Sequence, residues 1–282
     1  MQFETIGIVG AGQMGAGIAH VCAAAGLNVV LNDVDPRALE RGIERVSAGF
    51  DRRVSKTTMT AEEAGRAMAR VQASSESSAL AGCDFVIEAA TENVQIKQRI
   101  LHELDEIVRP DAIVATNTSS VSITQLAATL ADPSRFVGIH FFNPVPAMAL
   151  VEVIRGMQTR DAVYDTTVAL VERLGKSAIQ VKNAPGFVVN RILVPMINEA
   201  VFVLQEGLAS AEEIDAGMRL GANHPMGPLA LADLIGLDTV LSIMEVFHQA
   251  FGDTKYRPAP MLKEMVDAGY LGRKAKRGFY SY

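Results

Sequence analysis

Residues 5–33 read TIGIVGAGQMGAGIAHVCAAAGLNVVLND, with two short apolar runs on either side of a stretch rich in small residues. The runs Thr5–Val9 and Asn28–Asn32 are typical of buried strands, and the stretch between them predicts a helix that Gly26 ends. A strand, a helix and a second strand of this combined length form a crossover unit, in which the two strands are parallel. The segment therefore predicts an α/β fold built on a parallel sheet.

Glycines follow the first of these strands in the spacing G-x-G-x-x-G, at Gly10, Gly12 and Gly15. The first permits a tight turn, the second lets the backbone approach a pyrophosphate, and the third lets the helix pack closely on the strand. The predicted helix begins near Gln13 and Met14, and the N–H groups of a helix start are suited to bind phosphate. These five residues are the predicted binding site for the pyrophosphate of a dinucleotide.

The second predicted strand leads into an acidic residue, Asp33. A carboxylate at this distance from the glycine turn accepts hydrogen bonds from the adenosine ribose and repels a 2′-phosphate, so we expect NAD rather than NADP. No arginine follows directly, although Arg37 lies close in sequence. The alternative interpretation is a structural glycine turn that binds no cofactor.

The signals for secondary structure change along the chain. Short strand-like runs recur as far as Val181, and the pair Asp35–Pro36 between two of them is typical of a helix start. After Val181 only helix signals remain. We therefore predict a Rossmann-type, mostly parallel sheet domain that binds NAD at residues 1–184. An all-α domain for substrate binding and dimerisation is predicted at residues 185–282.

The helical part opens with the stretch Phe187–Leu204, which is apolar on nearly all sides. Polar residues interrupt it at only a few positions, among them Asn190. We predict a buried helix here. Because the stretch carries more apolar surface than one small domain easily covers, it also indicates a homodimer that forms through the helical domain.

Composition excludes several classes of protein. The 282 residues are 49% hydrophobic and 21% charged, as in ordinary globular proteins, and the net charge of −6 gives no general attraction to nucleic acid or anionic membranes. No apolar run is long enough to cross a membrane. Cys22 and Cys83 lack the spacing of a metal site or a disulfide framework, so no metal is expected. The segment Met1–Gly7 has no basic cluster, so we expect no secretion signal and a cytoplasmic protein.

Polar residues also stand at the ends of predicted strands, where open α/β sheets bind ligands. Ser119 follows one strand, His140 ends the next, and Glu152 lies in the strand after that. Pro144 and Pro146 predict an irregular connection that brings His140 beside Glu152. A carboxylate that holds one imidazole nitrogen leaves the other able to exchange a proton with an alcohol. Together with the glycine turn, these residues indicate an NAD-linked alcohol oxidation or ketone reduction.

Each of these residues also has a simpler interpretation. A lone histidine at a strand end is often a surface residue, Glu152 could face solvent from an edge strand, and Ser119 could cap the next helix. The residues alone leave these alternatives open.

Several stretches resemble those of the L-3-hydroxyacyl-CoA dehydrogenases. They are EAATEN at 88–93, NTSS at 117–120, HFFNPVP at 140–146, PGFVVNR at 185–191, HPMGP at 224–228 and GFY at 278–280. The resemblance covers essentially the whole chain, and the short chain is similar to the bacterial form that acts on 3-hydroxybutyryl-CoA. It implies reversible NAD-dependent oxidation of (S)-3-hydroxyacyl-CoA, with a short acyl chain, to 3-oxoacyl-CoA.

The resemblance also implies roles for the polar residues. His140 would be the general base that takes the C3 hydroxyl proton, and Glu152 would orient it and stabilise the imidazolium. Ser119 and Asn190 would donate hydrogen bonds to the reacting oxygen or the thioester carbonyl. A buried amide that bonds only to neighbouring backbone is the alternative interpretation of Asn190.

Further residues would contact the cofactor by the same resemblance. Glu92 and Lys97 would bind the nicotinamide-side ribose, Ser119 and Asn143 would contact NAD, and Lys274 would approach it from the C-terminal segment. In the simpler interpretations, Glu92 and Lys97 are an exposed pair on the first turns of a helix. Asn143 is then a loop cap, and Lys274 is a charge in the C-terminal tail.

Coenzyme A carries phosphates, which require basic side chains. Arg52, Arg53 and Lys56 form a cluster near the end of the second predicted helix. They suit phosphate binding and they equally suit a helix C-terminus without a ligand.

Two other functions compete with this one. The β-hydroxyacid dehydrogenases of the 3-hydroxyisobutyrate type use a lysine in catalysis, and Lys182 would be the candidate in this chain. His140 and Glu152 would then have no role. A non-catalytic dinucleotide-binding protein is the other alternative, and the presence of the full set of polar site residues argues against it.

Overall fold

The computed structural model describes residues 3–282. Met1 and Gln2, which open the segment where we expect no secretion signal, lie outside the described residues. The chain divides into two compact units, the first ending at Ala184 and the second comprising Pro185–Tyr282. Within residues 3–282, no helix combines the length and apolar character that crossing a membrane requires.

The first unit contains a sheet in which eight described strands follow the order β3-β2-β1-β4-β5-β6-β7-β8. In chain order the strands are β1 (Thr5–Val9), β2 (Asn28–Asn32), β3 (Val71–Ser74), β4 (Phe85–Glu88), β5 (Ile113–Thr116), β6 (Phe136–Phe141), β7 (Leu150–Arg155) and β8 (Ser177–Lys182). Neighbouring strands are parallel except for β6 and β7, which are antiparallel. The predicted mostly parallel sheet is therefore confirmed.

Helices pack around this sheet in the first unit, and other helices form the second unit. The first unit holds α1 (Gln13–Ala24), α2 (Pro36–Ser55), α3 (Ala61–Met68), α4 (Val94–Ile107), α5 (Ile123–Ala127) and α6 (Asp161–Arg173). The second holds α7 (Val189–Gln205), α8 (Ala211–Gly221), α9 (Pro228–Ile235), α10 (Leu237–Phe251) and α11 (Pro260–Asp267). An α/β unit followed by a helical unit confirms the predicted fold class.

Two predicted local signals fix the crossover between β1 and β2 and the helix after it. Gly26 follows α1 with a φ of +80°, a conformation that glycine adopts at little cost. Asp35 caps α2, because its side chain accepts a hydrogen bond from Arg37 N over 3.0 Å. The short connections place α1 and α2 beside each other, with the glycine turn at the start of α1.

The edge strand β3 was not predicted from the sequence. Its four residues, Val71–Ser74, are half-exposed or exposed. Because neither face of the strand is fully buried, its side chains carry no apolar pattern. Among the strands of residues 3–282 it pairs only with β2, and backbone hydrogen bonding rather than side-chain burial keeps it in the sheet.

The prediction that the helix at 187–204 is buried on nearly all sides is wrong. The helix α7 buries Ile197 and Val201 within the second unit, whereas Val188 just before it is 40% exposed and Ile192 is 66% exposed. One face of α7 therefore belongs to the core of its unit, and apolar side chains remain on another face.

A buried histidine makes the first unit sensitive to acid. His20 of α1 stacks on Phe50 with ring centroids 4.2 Å apart, and burial lowers the pKa of His20 to about 4. The folded pKa lies below the unfolded value of about 6.5, so the unfolded chain binds more protons between these values. The free energy of unfolding should therefore fall by about 3 kcal/mol as the pH drops from 7 to 4, from this group alone.

Denaturant unfolding at several pH values tests this expectation with His20→Leu. The variant should lose most of that pH dependence, whereas His102→Gln, at an exposed position on α4, should keep it. An unchanged pH slope in His20→Leu would show that His20 is not the group responsible.

Candidate active site

The three glycines of the turn differ in what surrounds them. Gly10 has a φ of +101°, and a Cβ there would lie 2.6 Å from Ala90 Cα. A Cβ at Gly15 would overlap the carbonyl oxygen of Gly10. At Gly12, by contrast, a Cβ would meet no atom within 4 Å. Packing therefore explains the first and third glycines, whereas the second borders open space that a ligand can enter.

The start of α1 faces this open space with backbone donors. Gly12 is the N-cap residue, and no side chain of residues 3–282 caps the helix. Ala16 N donates to Gly12 O over 3.0 Å, so the N–H groups of the preceding turn, from Gln13 to Gly15, have no intrahelical acceptor. Such a helix start suits an anionic phosphate.

Asp33 holds the glycine turn in place. Its carboxylate accepts hydrogen bonds from Ala11 N at 2.8 Å and from Asp35 N at 3.0 Å, one on each oxygen. Each oxygen retains a second acceptor position, so the predicted contact with ribose hydroxyls is compatible with these bonds. Asp33 also lines a cavity of about 280 Å³ together with Gly10 and Arg99. The residues present therefore fit the adenosine half of NAD.

The contrast between two glycines gives a test of this site. We expect Gly12→Val to weaken NADH binding at least about tenfold with little change in thermal stability, because the side chain would fill the open space. Gly15→Val should instead destabilise the fold by about 2 kcal/mol or more, because it forces backbone atoms apart. Fluorescence titration with NADH and thermal unfolding distinguish the two, and wild-type affinity in Gly12→Val would place the phosphates elsewhere.

His140 and Glu152 form a buried pair. They face each other in the antiparallel register of β6 and β7, and His140 Nδ1 lies 2.7 Å from Glu152 Oε2. His140 is 7% exposed, Glu152 is fully buried, and the imidazole packs against Phe142 with centroids 4.5 Å apart. The simpler interpretations, a surface histidine and a solvent-facing glutamate, are therefore wrong for this pair.

The turn after β5 carries Ser119, and Glu92 holds this turn. Thr118 Oγ1 donates to Glu92 Oε2 over 2.6 Å, and Ser119 N donates to Glu92 Oε1 over 3.0 Å. Ser119 does not cap the following helix, because Ser122 does so by accepting a hydrogen bond from Gln125 N. Its hydroxyl is thus not needed for local structure.

Two polar contacts connect this edge of the sheet across several elements. Asn117 Oδ1 accepts a hydrogen bond from Phe141 N over 2.9 Å, which joins the ends of β5 and β6. Gln13 Nε2 donates to Asn143 Oδ1 over 3.0 Å, which joins the start of α1 to the loop after β6. The predicted cofactor residue Asn143 therefore lies beside the glycine turn.

Lys176 was missed by sequence reasoning, although it supports the same loop. Its Nζ donates to Val145 O at 2.6 Å and to Met148 O at 2.7 Å. Burial lowers the pKa of Lys176. A lysine just before β8 gives no sequence signal for this contact, because its partners are backbone carbonyls of a distant loop.

Lys97 forms a buried ion pair with Glu88 in the first unit. Lys97 is fully buried, and its Nζ lies 2.6 Å from Glu88 Oε2. It is not an exposed helix residue, so that interpretation of Lys97 is wrong, and the ribose contact that the resemblance implies stays a prediction.

Two predicted site residues belong to the second unit. Asn190 lies in the first turn of α7 and is half-buried. Lys274 is not a free tail charge, because its Nζ lies 2.6 Å from the carboxylate oxygens of Asp238. Asp238 thus fixes the position of the Lys274 ammonium within this unit.

The basic residues of α2 border two cavities in the first unit. Arg52 lines one of about 300 Å³, and Arg53 lines another of about 590 Å³ together with Lys176. Lys56 lines neither. Among the described residues, no carboxylate forms an ion pair with Arg52, Arg53 or Lys56. Both arginines lie in the last turn of α2, so phosphate binding and a helix C-terminus without a ligand both stay predictions for them.

Comparison with known proteins gives a consistent result over both units. Residues 5–184 match the 3-hydroxyacyl-CoA dehydrogenase NAD binding domain, and residues 186–282 match the C-terminal domain of the same family. A 3-hydroxybutyryl-CoA dehydrogenase from Bradyrhizobium diazoefficiens is 53% identical over 279 residues, covering 99% of this chain and 95% of the relative. A relative from Clostridioides difficile with the same name is 46% identical over 277 residues, covering 98% and 99%.

A solved structure shows the same likeness in three dimensions. The (S)-3-hydroxybutyryl-CoA dehydrogenase from Ralstonia eutropha has a TM-score of 0.97 and 56% sequence identity, covering 100% of this chain and 99% of that chain. The glycine turn, the buried His140–Glu152 pair and the two matched domains agree with one another. The chain belongs to the 3-hydroxyacyl-CoA dehydrogenase family.

Proposed function

We propose that this chain catalyses the reversible oxidation of (S)-3-hydroxyacyl-CoA to 3-oxoacyl-CoA with NAD, and that its preferred substrate is short, such as 3-hydroxybutyryl-CoA. The observation that carries the proposal is the buried His140–Glu152 pair, which lies at the same edge of the sheet as the glycine turn. The names of relatives that match nearly the full length of the chain support the short acyl group.

The proton chemistry follows from the geometry of the pair. Glu152 accepts a hydrogen bond from His140 Nδ1–H, so Nε2 is the nitrogen that takes the proton of the C3 hydroxyl. The Glu152 carboxylate then stabilises the positive charge on the imidazole, and burial of both side chains strengthens this attraction. When bound, NAD supplies the acceptor for the hydride that leaves C3.

Two further side chains are proposed to bind the substrate. Ser119, held on its turn by Glu92, donates a hydrogen bond to the reacting oxygen or the thioester carbonyl. Asn190 is proposed, from the family resemblance, to donate a second hydrogen bond to the substrate. Donors of this kind contribute about 2.7–4 kcal/mol each where negative charge develops.

The cofactor contacts are proposed from the fit described above. The N–H groups of the turn from Gly12 to Gly15 bind the pyrophosphate, and Asp33 binds the adenosine ribose. Glu92, Asn143 and Lys274 are proposed to contact the nicotinamide half of NAD. Glu92 would do so with the same carboxylate oxygens that bind the Ser119 turn. Lys97, which is buried beside Glu88, is proposed to contact the nicotinamide-side ribose with them.

The coenzyme A phosphates are proposed to bind near Arg52 and Arg53. Both arginines border a cavity, and no carboxylate within residues 3–282 pairs with them. The bidentate geometry of a guanidinium matches a phosphate well. Lys56, which borders neither cavity, has the weaker geometric support.

We further propose a cytoplasmic homodimer that forms through the second unit. Ile192 leaves apolar surface exposed on α7, which a second copy can cover. Light scattering at micromolar concentration should give the mass of two chains. A monomer under these conditions would contradict the proposal.

The activity is tested by absorbance at the NADH maximum in three parallel reactions. Acetoacetyl-CoA with NADH should be reduced, free 3-hydroxyisobutyrate with NAD should give no change, and NADPH should replace NADH poorly. Activity confined to 3-hydroxyisobutyrate would favour the lysine-based alternative with Lys182, which is exposed at the end of β8. No activity in any reaction, with NADH still bound, would favour a non-catalytic dinucleotide-binding protein.

A further inference from the structure

A buried carboxylate of the second unit binds the C-terminal segment of the chain. Asp233 of α9 is 1% exposed, and its Oδ1 accepts a hydrogen bond from Phe279 N over 2.9 Å. Its Oδ2 accepts hydrogen bonds from Tyr280 N over 2.9 Å and from the Tyr282 hydroxyl over 3.1 Å. Within residues 3–282, no lysine, arginine or histidine forms an ion pair with Asp233. The proton transfer and cofactor contacts proposed above do not use it.

Two glycines pack against Asp233 and close a short loop. A Cβ at Gly278 would overlap the Asp233 carboxylate, and a Cβ at Gly272 would overlap the Asp233 backbone. Gly272 N donates to Arg277 O over 2.8 Å, and Arg277 N donates to Gly272 O over 3.2 Å. Residues 272–278, which we call the Lys274 loop, therefore begin and end against Asp233.

Burial of its own side chains does not fix the position of the Lys274 loop. All residues from 273 to 277 are exposed. Arg277 stacks on the Tyr270 ring at 3.8 Å, and Lys274 Nζ lies 2.6 Å from the Asp238 carboxylate. Contacts between exposed charged side chains contribute little to stability. The backbone of the loop is therefore held mainly where it meets the buried carboxylate.

Stability alone does not explain an unpaired negative charge inside the second unit. Taking a carboxylate out of water is costly, and an apolar residue of similar volume would avoid that cost. Three donors converge on Asp233, and a carboxylate can accept hydrogen bonds from all of them. Hydrogen bonds to an ionised acceptor are also shorter and stronger than neutral ones. The charge therefore indicates that the geometry of the bound segment matters.

We propose that Asp233 is a positioning residue for Lys274. It holds both ends of the Lys274 loop against α9, so that the Lys274 ammonium stays where it can contact NAD. Asp233 thus acts through Lys274. The inference rests on the proposed contact of Lys274 with the nicotinamide half of NAD, and it needs no acyl substrate.

A double-mutant cycle tests this proposal. NADH affinity is measured by fluorescence titration for Asp233→Asn, for Lys274→Met and for the two substitutions combined, and thermal unfolding is measured in parallel. Asparagine turns an NH2 group toward one of the donors, so the loop must shift. We expect each single variant to bind NADH at least about fivefold more weakly than wild type, and the double variant to match the weaker single variant within about twofold.

The matched control is Asp215→Asn, at a second buried carboxylate of the same unit. Asp215 accepts hydrogen bonds from Leu229 N over 2.8 Å, from Ala230 N over 2.9 Å and from the Tyr280 hydroxyl over 2.8 Å. None of these donors belongs to the Lys274 loop. We expect this variant to lose thermal stability as Asp233→Asn does, but to bind NADH within about twofold of wild type.

Several results would overturn the proposal. Wild-type affinity in Asp233→Asn would show that the carboxylate serves stability alone, and wild-type affinity in Lys274→Met would show that the lysine has no part in NADH binding. Losses that multiply in the double variant would mean that Asp233 does not act through Lys274. An equal loss of affinity in Asp215→Asn would attribute the effect to general destabilisation.

Gly278→Ala provides a second test that does not depend on Asp233→Asn folding. It keeps the carboxylate and all of its donors, but its Cβ displaces the segment that Asp233 binds. We expect NADH affinity to fall at least about fivefold, whereas Gly217→Ala in α8, where a Cβ would meet no atom within 4 Å, should bind as wild type. Unchanged affinity in Gly278→Ala would contradict the proposal. If the wild-type chain binds NADH but does not reduce acetoacetyl-CoA, the proposed function fails while these NADH comparisons still stand.

Discussion

His140→Gln is expected to lower kcat for acetoacetyl-CoA reduction by about 10²–10⁴-fold, the usual contribution of a positioned general acid or base. Glutamine retains hydrogen-bonding groups of similar reach but cannot exchange a proton at neutral pH. NADH binding should stay within about twofold of wild type, because the proposed pyrophosphate and adenosine ribose contacts come from the glycine turn and Asp33. Steady-state kinetics and NADH titration measure the two quantities separately.

The control for this variant is His102→Gln, an exposed histidine of α4 outside the proposed site. It should retain wild-type kcat. Undiminished turnover in His140→Gln, with normal NADH affinity, would show that another group moves the proton. The buried His140–Glu152 pair would then need a purely structural explanation.

Glu152→Gln is the second substitution for which we expect a large loss, by analogy with the carboxylate of a catalytic triad about 10⁴-fold in kcat. The amide matches the carboxylate in shape, so the strands should keep their register. It cannot stabilise a positive imidazole, and its N–H₂ group can hold the ring in the wrong tautomer. Steady-state kcat of the purified variant is the measurement.

The double variant His140→Gln with Glu152→Gln shows whether the two residues act as a unit. Groups that act together give strongly non-additive losses, so the double variant should be about as slow as the worse single variant. Losses that multiply would indicate that Glu152 has a separate role. Thermal unfolding of all three variants checks that the fold is intact.

Much of this site was predictable because its signals are local. The glycine turn between β1 and α1 is a contiguous pattern, in which packing explains Gly10 and Gly15 and Gly12 borders open space. The proximity of His140 and Glu152 also followed from the sequence, because a short irregular connection between two strand-like runs places them side by side. That prediction is confirmed by the register of β6 and β7.

What the sequence did not reveal depends on contacts between distant segments. Lys97 looked like an exposed helix residue because its partner Glu88 lies on a strand and reaches it only through the packing of α4 on the sheet. Glu92 was predicted to be a cofactor ligand or an exposed residue at a helix start, whereas both of its oxygens bind the turn at Thr118 and Ser119. Polar side chains with long-range partners leave no periodic pattern that a single sequence can display.

The antiparallel pairing of β6 and β7 has a consequence for protein engineering. The spacing of His140 and Glu152 is set by the ladder between two strands, while the loop that joins these strands is held separately by Lys176 and by the Gln13–Asn143 hydrogen bond. A designer can therefore diversify residues 146–149, which line the cavity beside Arg53, in a library. The acid–base pair should tolerate such remodelling, because the sheet and not the loop determines its geometry.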